Sequence, residues 1–125
     1  MRPGLHSISL LLAADYSLLS MTNELLADKT LMLLSASDEV GGPRRIRVQT
    51  FSDAKDINVT IGEFLRSYLQ LSTNSRSKWH RSHERILHAN VFVDSDPLEL
   101  LLNTHTTDSI KVLDASLLIK IGQAR

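Results

Sequence analysis

The hydrophobic period of this chain changes near its middle from two residues to about 3.6, which are the periods of a strand and a helix. Residues 45–50 alternate between basic or amide side chains and apolar or threonine ones, which predicts a half-buried strand with a basic outer face. Residues 61–71 then carry apolar side chains at helical spacing, which predicts an amphipathic helix. The chain is therefore expected to fold as an α+β domain.

The residues on either side of this strand predict its partner and the start of the helix. Thr30–Ser37 is a short apolar run, and a turn rich in glycine and proline at 38–43 joins it to residues 45–50, so a β-hairpin is expected. Thr60 and Glu63 match a capping box, in which each side chain binds the other residue's backbone amide. We therefore expect the helix to begin directly after Thr60.

The other elements are expected from weaker patterns. Residues 5–14 are compatible with a strand or with a helix, and both remain open. A helix is expected from the candidate cap Asp15 to about Ala27. A loop at 72–77, a helix at 78–88 and a strand at 89–94 are expected next. The C-terminal part is expected to contain a short helix at about 97–103 capped by Asp96, a loop at 104–109, and strands at 110–113 and 116–121.

Together these elements describe one domain over residues 1–125, with a mixed or antiparallel sheet of about four to five strands and three to four helices. The chain has no internal repeat and no linker long enough to divide it. Its succession of a hairpin, a capped helix and a C-terminal strand is similar to a β-grasp-like order.

The composition excludes several classes of site and protein. The chain has no cysteine, which excludes disulfides, thiolate nucleophiles and cysteine-ligated zinc. Its 14 basic and 14 acidic residues give a net charge of zero, whereas dedicated nucleic-acid domains are usually basic. No apolar run approaches the roughly 18 residues of a membrane span, and the run Ile8–Ala14 behind Arg2 is short for a signal peptide. We therefore expect a soluble protein that is cytoplasmic or intracellular rather than secreted.

The chain contains no recognisable set of catalytic residues. The glycine-rich phosphate loops and the serine elbow of the hydrolases are missing. His83 and His88 with Glu84 approach a zinc-protease pattern, but the two histidines are five residues apart and would lie on different sides of a helix. A metal-dependent enzyme built on His80 and Glu84 is the alternative that this cluster leaves open. The expectation is a non-enzymatic protein without a metal, a cofactor or a small-molecule substrate.

Two basic runs form the candidate binding site for an anion or a nucleic acid. They comprise Arg44, Arg45, Arg47, Arg76, Lys78, Trp79, Arg81 and Arg85. Trp79 could stack on a base or, as a sole tryptophan commonly does, anchor the core. If both runs lay on one side, their cations would attract phosphate backbones or anionic lipids. A nucleic-acid- or anionic-membrane-binding module is therefore one functional hypothesis.

The charge distribution favours a different hypothesis, which is assembly with other proteins. No lysine or arginine lies between Ile86 and Ile110, a segment with a net charge of −4, and the basic residues 76–85 directly precede it. Segments of opposite charge can dock between copies of one chain. The apolar runs Leu31–Leu34 and Leu117–Ile121 could form exposed strand edges that pair with another chain. We therefore expect a non-catalytic, homo-oligomeric interaction or assembly protein, whose partners are a second copy and another protein.

Leucine (22), serine (15) and arginine (9) together make up more than a third of the chain. These are the three amino acids with the most codons, and reading frames that overlap another gene are enriched in them. This bias fits a virus- or phage-encoded accessory or structural protein. A leucine-rich α+β domain with serine-rich loops is the simpler explanation of the same counts.

Overall fold

The computed structural model describes residues 3–51, 56–95 and 99–123, and within them it contains four helices and five strands. In chain order the elements are β1 (Gly4–Ala13), α1 (Leu19–Leu25), β2 (Leu31–Ala36), β3 (Arg45–Thr50), α2 (Ile57–Leu69), α3 (Thr73–Arg81), β4 (Glu84–Val93), α4 (Thr104–Leu113) and β5 (Ser116–Gln123). The fold class is α+β, as the hydrophobic periods predict.

The five strands form one mixed sheet in the order β2-β3-β1-β4-β5. β2 and β3 form the predicted antiparallel hairpin, and β1 pairs antiparallel with both β3 and β4. β5 is parallel to β4 and follows it through α4, because parallel neighbours need a crossover connection. The hairpin is followed by α2 as expected, but α3, β4 and α4 separate α2 from β5, and β1 precedes the hairpin and lies at the centre of the sheet. The element order therefore departs from the expected β-grasp-like one.

Residues 5–14, which the sequence leaves open between strand and helix, fall almost entirely in the central strand β1. Ile8, Leu10 and Leu12 on one face of this strand are completely buried, and on the other face Leu11 is only 6% exposed. A central strand whose residues are buried on both of its faces needs a continuous apolar run rather than an alternating one. The uninterrupted apolar run that begins at Leu10 is therefore the sequence signature of the central position.

All four helices lie on the same face of the sheet. Phe64 of α2, Trp79 of α3 and Leu113 of α4 share one core with the side chains that β1, β3 and β4 direct to that face. Met21 of α1 belongs to the same core, whereas Leu11, which points to the opposite face, does not. Within the described ranges, the second face of the sheet is therefore free of helices, and we call it the helix-free face.

α2 begins one turn earlier than the capping-box pattern predicts. Its N-cap is Asp56, whose carboxylate accepts the backbone N–H of Asn58 at 2.8 Å. Thr60 is buried inside the helix and donates its own backbone N–H to the Asp56 carbonyl oxygen at 3.0 Å. The earlier start adds Ile57 to the buried face, and aspartate caps a helix at least as well as threonine. The predicted start after Thr60 is therefore wrong, although the helix itself is confirmed.

The segment between α2 and the middle of β4 departs furthest from expectation. The predicted loop at 72–77 contains the first turn of α3, because the Ser72 hydroxyl accepts the backbone N–H of Ser75 at 3.2 Å and caps the helix. The predicted helix at 78–88 ends at Arg81, and residues 84–88 belong to β4, whose backbone pairs with β1. The central strand needs a second neighbour, and this tertiary pairing overrides a weak local preference.

α4 is a second correction, because a loop and a short strand are expected where it lies. Asn103 caps this helix by accepting the backbone N–H of Thr106 at 2.7 Å. The helix ends at Asp114, which adopts a left-handed conformation with a φ of 53°. The cap, the packing of the helix and this left-handed residue place residues 110–113 in a helix rather than in a strand.

Three other predicted elements have different outcomes. The helix expected from the candidate cap Asp15 to about Ala27 is confirmed as α1, but it is shorter and its N-cap is Leu18, so Asp15 does not cap it. The strand expected at 116–121 is confirmed as β5. The helix expected at about 97–103 is not found in residues 99–103, while its candidate cap Asp96 lies outside the described residues.

Candidate functional site

The two predicted basic runs lie in different parts of the fold. Arg45 and Arg47 alternate with the buried Ile46 and Val48 in β3, so they project from the helix-free face. The second run lies mainly on α3, which packs on the opposite face through Trp79. The runs therefore do not form the single anion-binding surface that the nucleic-acid hypothesis requires.

Trp79 is a core residue rather than a stacking surface. Its side chain is 0% exposed, and its indole Nε1–H donates a hydrogen bond to the carbonyl oxygen of Leu113 at 2.6 Å. The ring also packs edge-on against Tyr68, with 5.0 Å between the ring centroids. A base cannot reach this ring, so the predicted nucleic-acid contact of Trp79 is wrong.

Two further members of the second run, Arg76 and Arg85, bind the backbone of the protein itself. Arg76 donates from Nε to the carbonyl oxygen of Leu71 at 3.1 Å, just beyond the end of α2. Arg85 donates from Nη1 to the Ser82 carbonyl oxygen and from Nε to that of Asp114, each at 2.6 Å. Its Nη2 also lies 3.2 Å from the Asp114 carboxylate. Cations satisfy the unpaired carbonyls at helix ends, so these two arginines have a structural use, and their role in binding an anion stays a prediction.

The other three cations of the predicted set have no shared target. The Arg44 backbone N–H donates to the Ser37 hydroxyl in the turn of the hairpin. The Arg81 guanidinium lies 5.9 Å from the centre of the Tyr16 ring. The Lys78 carbonyl oxygen accepts a hydrogen bond from the Tyr16 hydroxyl, which ties α3 to the segment before α1. The Arg44 and Lys78 contacts are made by their backbone groups, and among these three contacts only that of Arg81 involves the cation.

The histidines of the predicted cluster have separate partners. His80 Nδ1 lies 3.3 Å from the Asp114 carboxylate, while its Nε2 contacts a tyrosine hydroxyl. His83 Nε2 lies 2.6 Å from the Asp15 carboxylate, and Glu84 faces an arginine of β3 at 3.8 Å. Across ranges 3–51, 56–95 and 99–123, no group of three or more histidine or acidic side chains could hold a metal ion. His80 and Glu84 therefore do not share a site.

The helix-free face carries a strip of polar side chains across its centre. Arg47 on β3 donates from Nη1 to the Ser9 hydroxyl on β1 at 2.9 Å. On the next strand His88 is the register partner of Ser9, and Asn90 donates from Nδ2 to another β1 hydroxyl at 2.9 Å. Lys120 of β5 is the register partner of Asn90. We call these five residues the polar strip.

The helix-free face is positively charged. The strands direct three cations to it, Arg45, Arg47 and Lys120, and one carboxylate, Glu84, which gives a net charge of +2. Glu84 lies 3.8 Å from Arg45 at one end of the sheet. In the part of the chain that the structure describes, neither Arg47 nor Lys120 forms an ion pair. Two cations of this face are therefore available to an anion.

His88 is the uncharged member at the centre of the polar strip. Its Nε2 is inaccessible to solvent and has no hydrogen-bond partner among the described residues. Burial lowers the pKa of His88 below the usual 6.5, and the charges of Arg47 and Lys120 lower it further, against a smaller opposing effect of Glu84. The imidazole is therefore neutral at pH 7, and both cations lie close enough to influence it.

One end of the helix-free face carries an aromatic pair. Phe92 packs edge-on against His6, with 4.6 Å between the ring centroids. The Phe92 ring also lies directly against Gly122 of the neighbouring β5, where a Cβ atom would come within 2.8 Å of Phe92 Cε1. Glycine at this position therefore leaves the space in which the ring lies.

Both edges of the sheet are apolar. At one edge β2 exposes Leu33 and Leu34, and at the other β5 exposes Leu118, Ile119 and Ile121. These are the two runs that the sequence predicts as exposed strand edges, and the strand order confirms their positions. The outward N–H and C=O groups of an edge strand are open to pairing with another strand.

An open groove of about 280 Å³ lies at the start of α2. It is lined by Asp56, Ile57, Asn58, Glu99, Leu100 and Leu101. The Asn58 side chain crosses it and donates from Nδ2 to the Leu101 carbonyl oxygen at 2.8 Å. Asp56 already caps α2, and the Asn58 side chain connects the two walls of the groove. We therefore interpret the groove as a contact between two segments of the chain rather than as a binding site.

Comparison with known proteins finds no match to this chain among family models, curated proteins or solved structures. No helix in the described ranges combines the length and the apolar character needed to cross a bilayer. The functional interpretation therefore depends on the polar strip and the sheet edges themselves.

The polar strip is not evident from local sequence patterns. Those patterns place His88 in a helical histidine cluster and give no role to Asn90 or Lys120. The period-two alternation of apolar residues from Leu87 to Val91 is the signal that identifies β4 as a strand. The approach of β3, β4 and β5 around β1 depends on strand order, which no local pattern encodes.

Proposed function

We propose that the protein is a non-catalytic assembly protein that forms a homodimer by pairing β5 with β5 of a second copy. The observation that carries this proposal is a long edge strand without a β-bulge. β5 has eight residues, and its register with β4 is continuous from Ser116 to Gln123. Leu118, Ile119 and Ile121 are 46%, 41% and 70% exposed. Natural edge strands usually avoid this combination, because it favours pairing with another chain.

The other edge strand is better protected. β2 has six residues, and its register with β3 shifts between Leu33 and Ser35, which leaves Leu34 as an extra residue. A β-bulge of this kind twists an edge and interrupts the row of hydrogen-bonding groups that an incoming strand needs. The comparison of the two edges therefore favours β5.

The position of Lys120 selects the register of the pair. In an antiparallel pair across a two-fold axis, the central residue faces its own copy and the flanking residues face each other symmetrically. Centring the pair on Lys120 would set two ammonium groups opposite each other, which is destabilising. Centring it on Ile119 gives these facing pairs: Ile119 with Ile119, Leu117 with Ile121, and Leu118 with Lys120. This register joins apolar side chains without charge repulsion, so it is the one proposed.

The proposed pairing closes at two copies. An isologous contact uses the same edge of both copies, so no β5 edge remains for a third chain. The joined sheet would end at both sides in β2, the strand that carries the bulge. The expected product is a discrete dimer with one continuous ten-stranded sheet, rather than a fibre.

The proposal includes no chemical reaction. The titratable side chains that lie together, His80, Asp114 and Arg85, contact the ends of α3 and α4 and one another. Their contacts are those of a structural network, in which charged groups satisfy helix termini.

Light scattering coupled to size-exclusion chromatography tests the dimer over a range of protein concentrations. The wild-type chain is expected to elute as a dimer, and Ile119→Lys as a monomer because two lysines would face each other. Leu33→Lys is the matched control, since Leu33 is also 41% exposed but lies on the other edge strand. A wild type that is monomeric at every concentration, or that loses its dimer only in Leu33→Lys, would contradict the proposal.

A single cysteine tests the register, because the natural chain has none. In the proposed pair the two copies of residue 119 are directly opposite, with Cβ atoms about 4.5–5.5 Å apart, close to the reach of a disulfide. Mild oxidation of dilute Ile119→Cys should therefore give a covalent dimer, whereas Leu33→Cys should remain monomeric on a denaturing gel. A dimeric protein in which Ile119→Cys does not cross-link would show that the register is different.

A further inference from the structure

We infer that the helix-free face binds a single-stranded polynucleotide, with Arg47 and Lys120 on its phosphates and Phe92 stacked on a base. This inference goes beyond assembly, since every contact that it uses lies within one copy of the chain. It also differs from the site predicted from the basic runs, because it draws on only one residue of that set.

Arg47 and Lys120 are placed to contact two separate phosphates. The Arg47 guanidinium reaches over β1 to Ser9, so β4 lies between it and the strand that carries Lys120. Two strand spacings of 4.7–4.9 Å separate β1 from β5, which sets the two cations roughly 10 Å apart. Since neither cation forms an ion pair within the described part of the chain, a phosphate can bind without breaking one.

The strip between the two cations is uncharged and polar. His88 is neutral at pH 7, and the Asn90 side chain lies beside it on β4 with acceptor and donor groups. Ile86 and Leu118 flank these residues on the same face and offer apolar contacts. Alternating polar and apolar groups between two cations match the sugars and bases between two phosphates.

Phe92 supplies the stacking surface at the end of the helix-free face. The ring is half-buried and is held by its T-shaped contact with His6 and by its close approach to Gly122. A ring held in this way is ordered before the ligand arrives, which reduces the entropy lost on binding. Stacking on an aromatic ring tolerates any base, so the expected binding is independent of sequence.

The low exposure of most apolar side chains on this face favours a polynucleotide over a membrane surface as its ligand. Membrane-binding surfaces insert apolar side chains past the headgroups. On the helix-free face Leu11 is only 6% exposed and Ile86 is half-buried, so Leu118, at 46%, is the exposed exception beside the polar strip. A single exposed leucine between isolated cations offers little apolar area for insertion into a membrane, whereas an extended strand can lie across such a face.

Fluorescence anisotropy with a short labelled oligo(dT) tests the inference on the full chain. The wild type is expected to bind at low salt, with an affinity that falls as salt rises by a logarithmic slope of about −1.4 for two phosphate contacts on a single strand. The double variant Arg47→Gln, Lys120→Gln should bind about tenfold more weakly and lose this part of the slope. Absence of binding by the wild type at low salt would overturn the inference.

A matched double variant separates the helix-free face from general charge. Lys78→Gln with Arg81→Gln removes the same charge from α3, and its affinity should stay within about twofold of the wild type. An equal loss in both double variants would overturn the inference, because it would show attraction without a site. Phosphatidylserine vesicles form a separate arm: a wild type that binds these vesicles but not oligo(dT) would identify a membrane ligand and also overturn it.

Two variants test the stacking contact. Phe92→Leu should lower the affinity about tenfold at every salt concentration, because stacking releases no counterions. Gly122→Ala should produce a similar loss, since its methyl group would occupy the space of the Phe92 ring. Unchanged affinity in Phe92→Leu, or a loss that disappears at high salt, would overturn the role of this ring.

Discussion

Arg85 connects the C-terminal ends of α3 and α4, so its replacement by methionine should lower the stability of the fold rather than impair the binding of an anion. Its side chain is 17% exposed. Its guanidinium donates to the carbonyl oxygens of Ser82 and Asp114 at 2.6 Å each and lies 3.2 Å from the Asp114 carboxylate. Arg85→Met keeps most of the aliphatic length of the side chain. It removes these contacts together with longer ones, at 3.1–3.4 Å, to the Ser82 hydroxyl and to the carbonyl oxygens of Trp79 and His80.

The magnitude follows from the two short hydrogen bonds. A hydrogen bond to a charged group contributes about 1.5–3 kcal/mol, and truncation leaves its acceptor without that partner. Because the Asp114 carbonyl is exposed and the Ser82 carbonyl is only part-buried, we take the lower value for each bond. The expected loss in the free energy of unfolding is about 3 kcal/mol. For a domain of this size, that corresponds to a fall in melting temperature of roughly 12 °C.

Urea unfolding monitored by tryptophan emission measures this loss. Trp79 is the sole tryptophan and is fully buried, so its emission moves to longer wavelength when the core opens. Arg81→Met is the control, because Arg81 is exposed and makes one long hydrogen bond, 3.4 Å to the Ser77 carbonyl oxygen. Its effect should stay within about 0.5 kcal/mol. An Arg85→Met variant as stable as Arg81→Met would refute the structural role of Arg85.

Two further predictions concern α3. Glu24 accepts hydrogen bonds from the Ser75 hydroxyl and the Ser72 backbone N–H, and these bonds hold its pKa below the usual 4.5. The stability that this carboxylate contributes is therefore complete above about pH 4.5. It is lost as the pH falls through the lower, folded-state pKa. Glu24→Gln should lower the free energy of unfolding, measured in urea, by about 1 kcal/mol at pH 7 and should leave it unchanged in strong acid. A difference between the variant and the wild type that stays constant at all pH values would contradict this prediction. Trp79→Phe should lower the free energy of unfolding, measured by circular dichroism in urea, by about 2–4 kcal/mol. The substitution leaves the Leu113 carbonyl without its indole donor and opens a cavity. A loss below about 1 kcal/mol would contradict the central role of this ring in the core.

The elements that the sequence predicts well are those whose buried face is apolar. β3 and β5 are confirmed, and so is the body of α2, where Ile61, Phe64 and Tyr68 repeat at helical spacing. α4 escapes prediction because its buried positions are Thr106, Ser109 and Leu113. The spacing of these residues is helical, but two of them are polar, so the pattern of hydrophobic residues does not show the face.

The candidate site is only partly predictable for a related reason. Arg47 is identified correctly as an outward residue of a strand, because its neighbours in the chain alternate with it. Lys120 and His88 join it only through the strand order, in which residues distant in the chain become neighbours. The helix-end contacts of Trp79 and Arg85 are not evident from the sequence, because a basic segment has the same composition whether its members face solvent or satisfy helix ends.

The central position of β1 has a consequence for the biosynthesis of the protein. β1 leaves the ribosome before the other described elements, but one of its two neighbours, β4, is complete only at Val93. Residues 14–93 take roughly 4 to 16 seconds to translate at 5–20 residues per second. During that interval the nascent chain presents an apolar strand with an unpaired side, which is the kind of segment that aggregates or recruits chaperones. The period of greatest risk is therefore set by the speed of translation over these residues rather than by the folding rate of the finished chain.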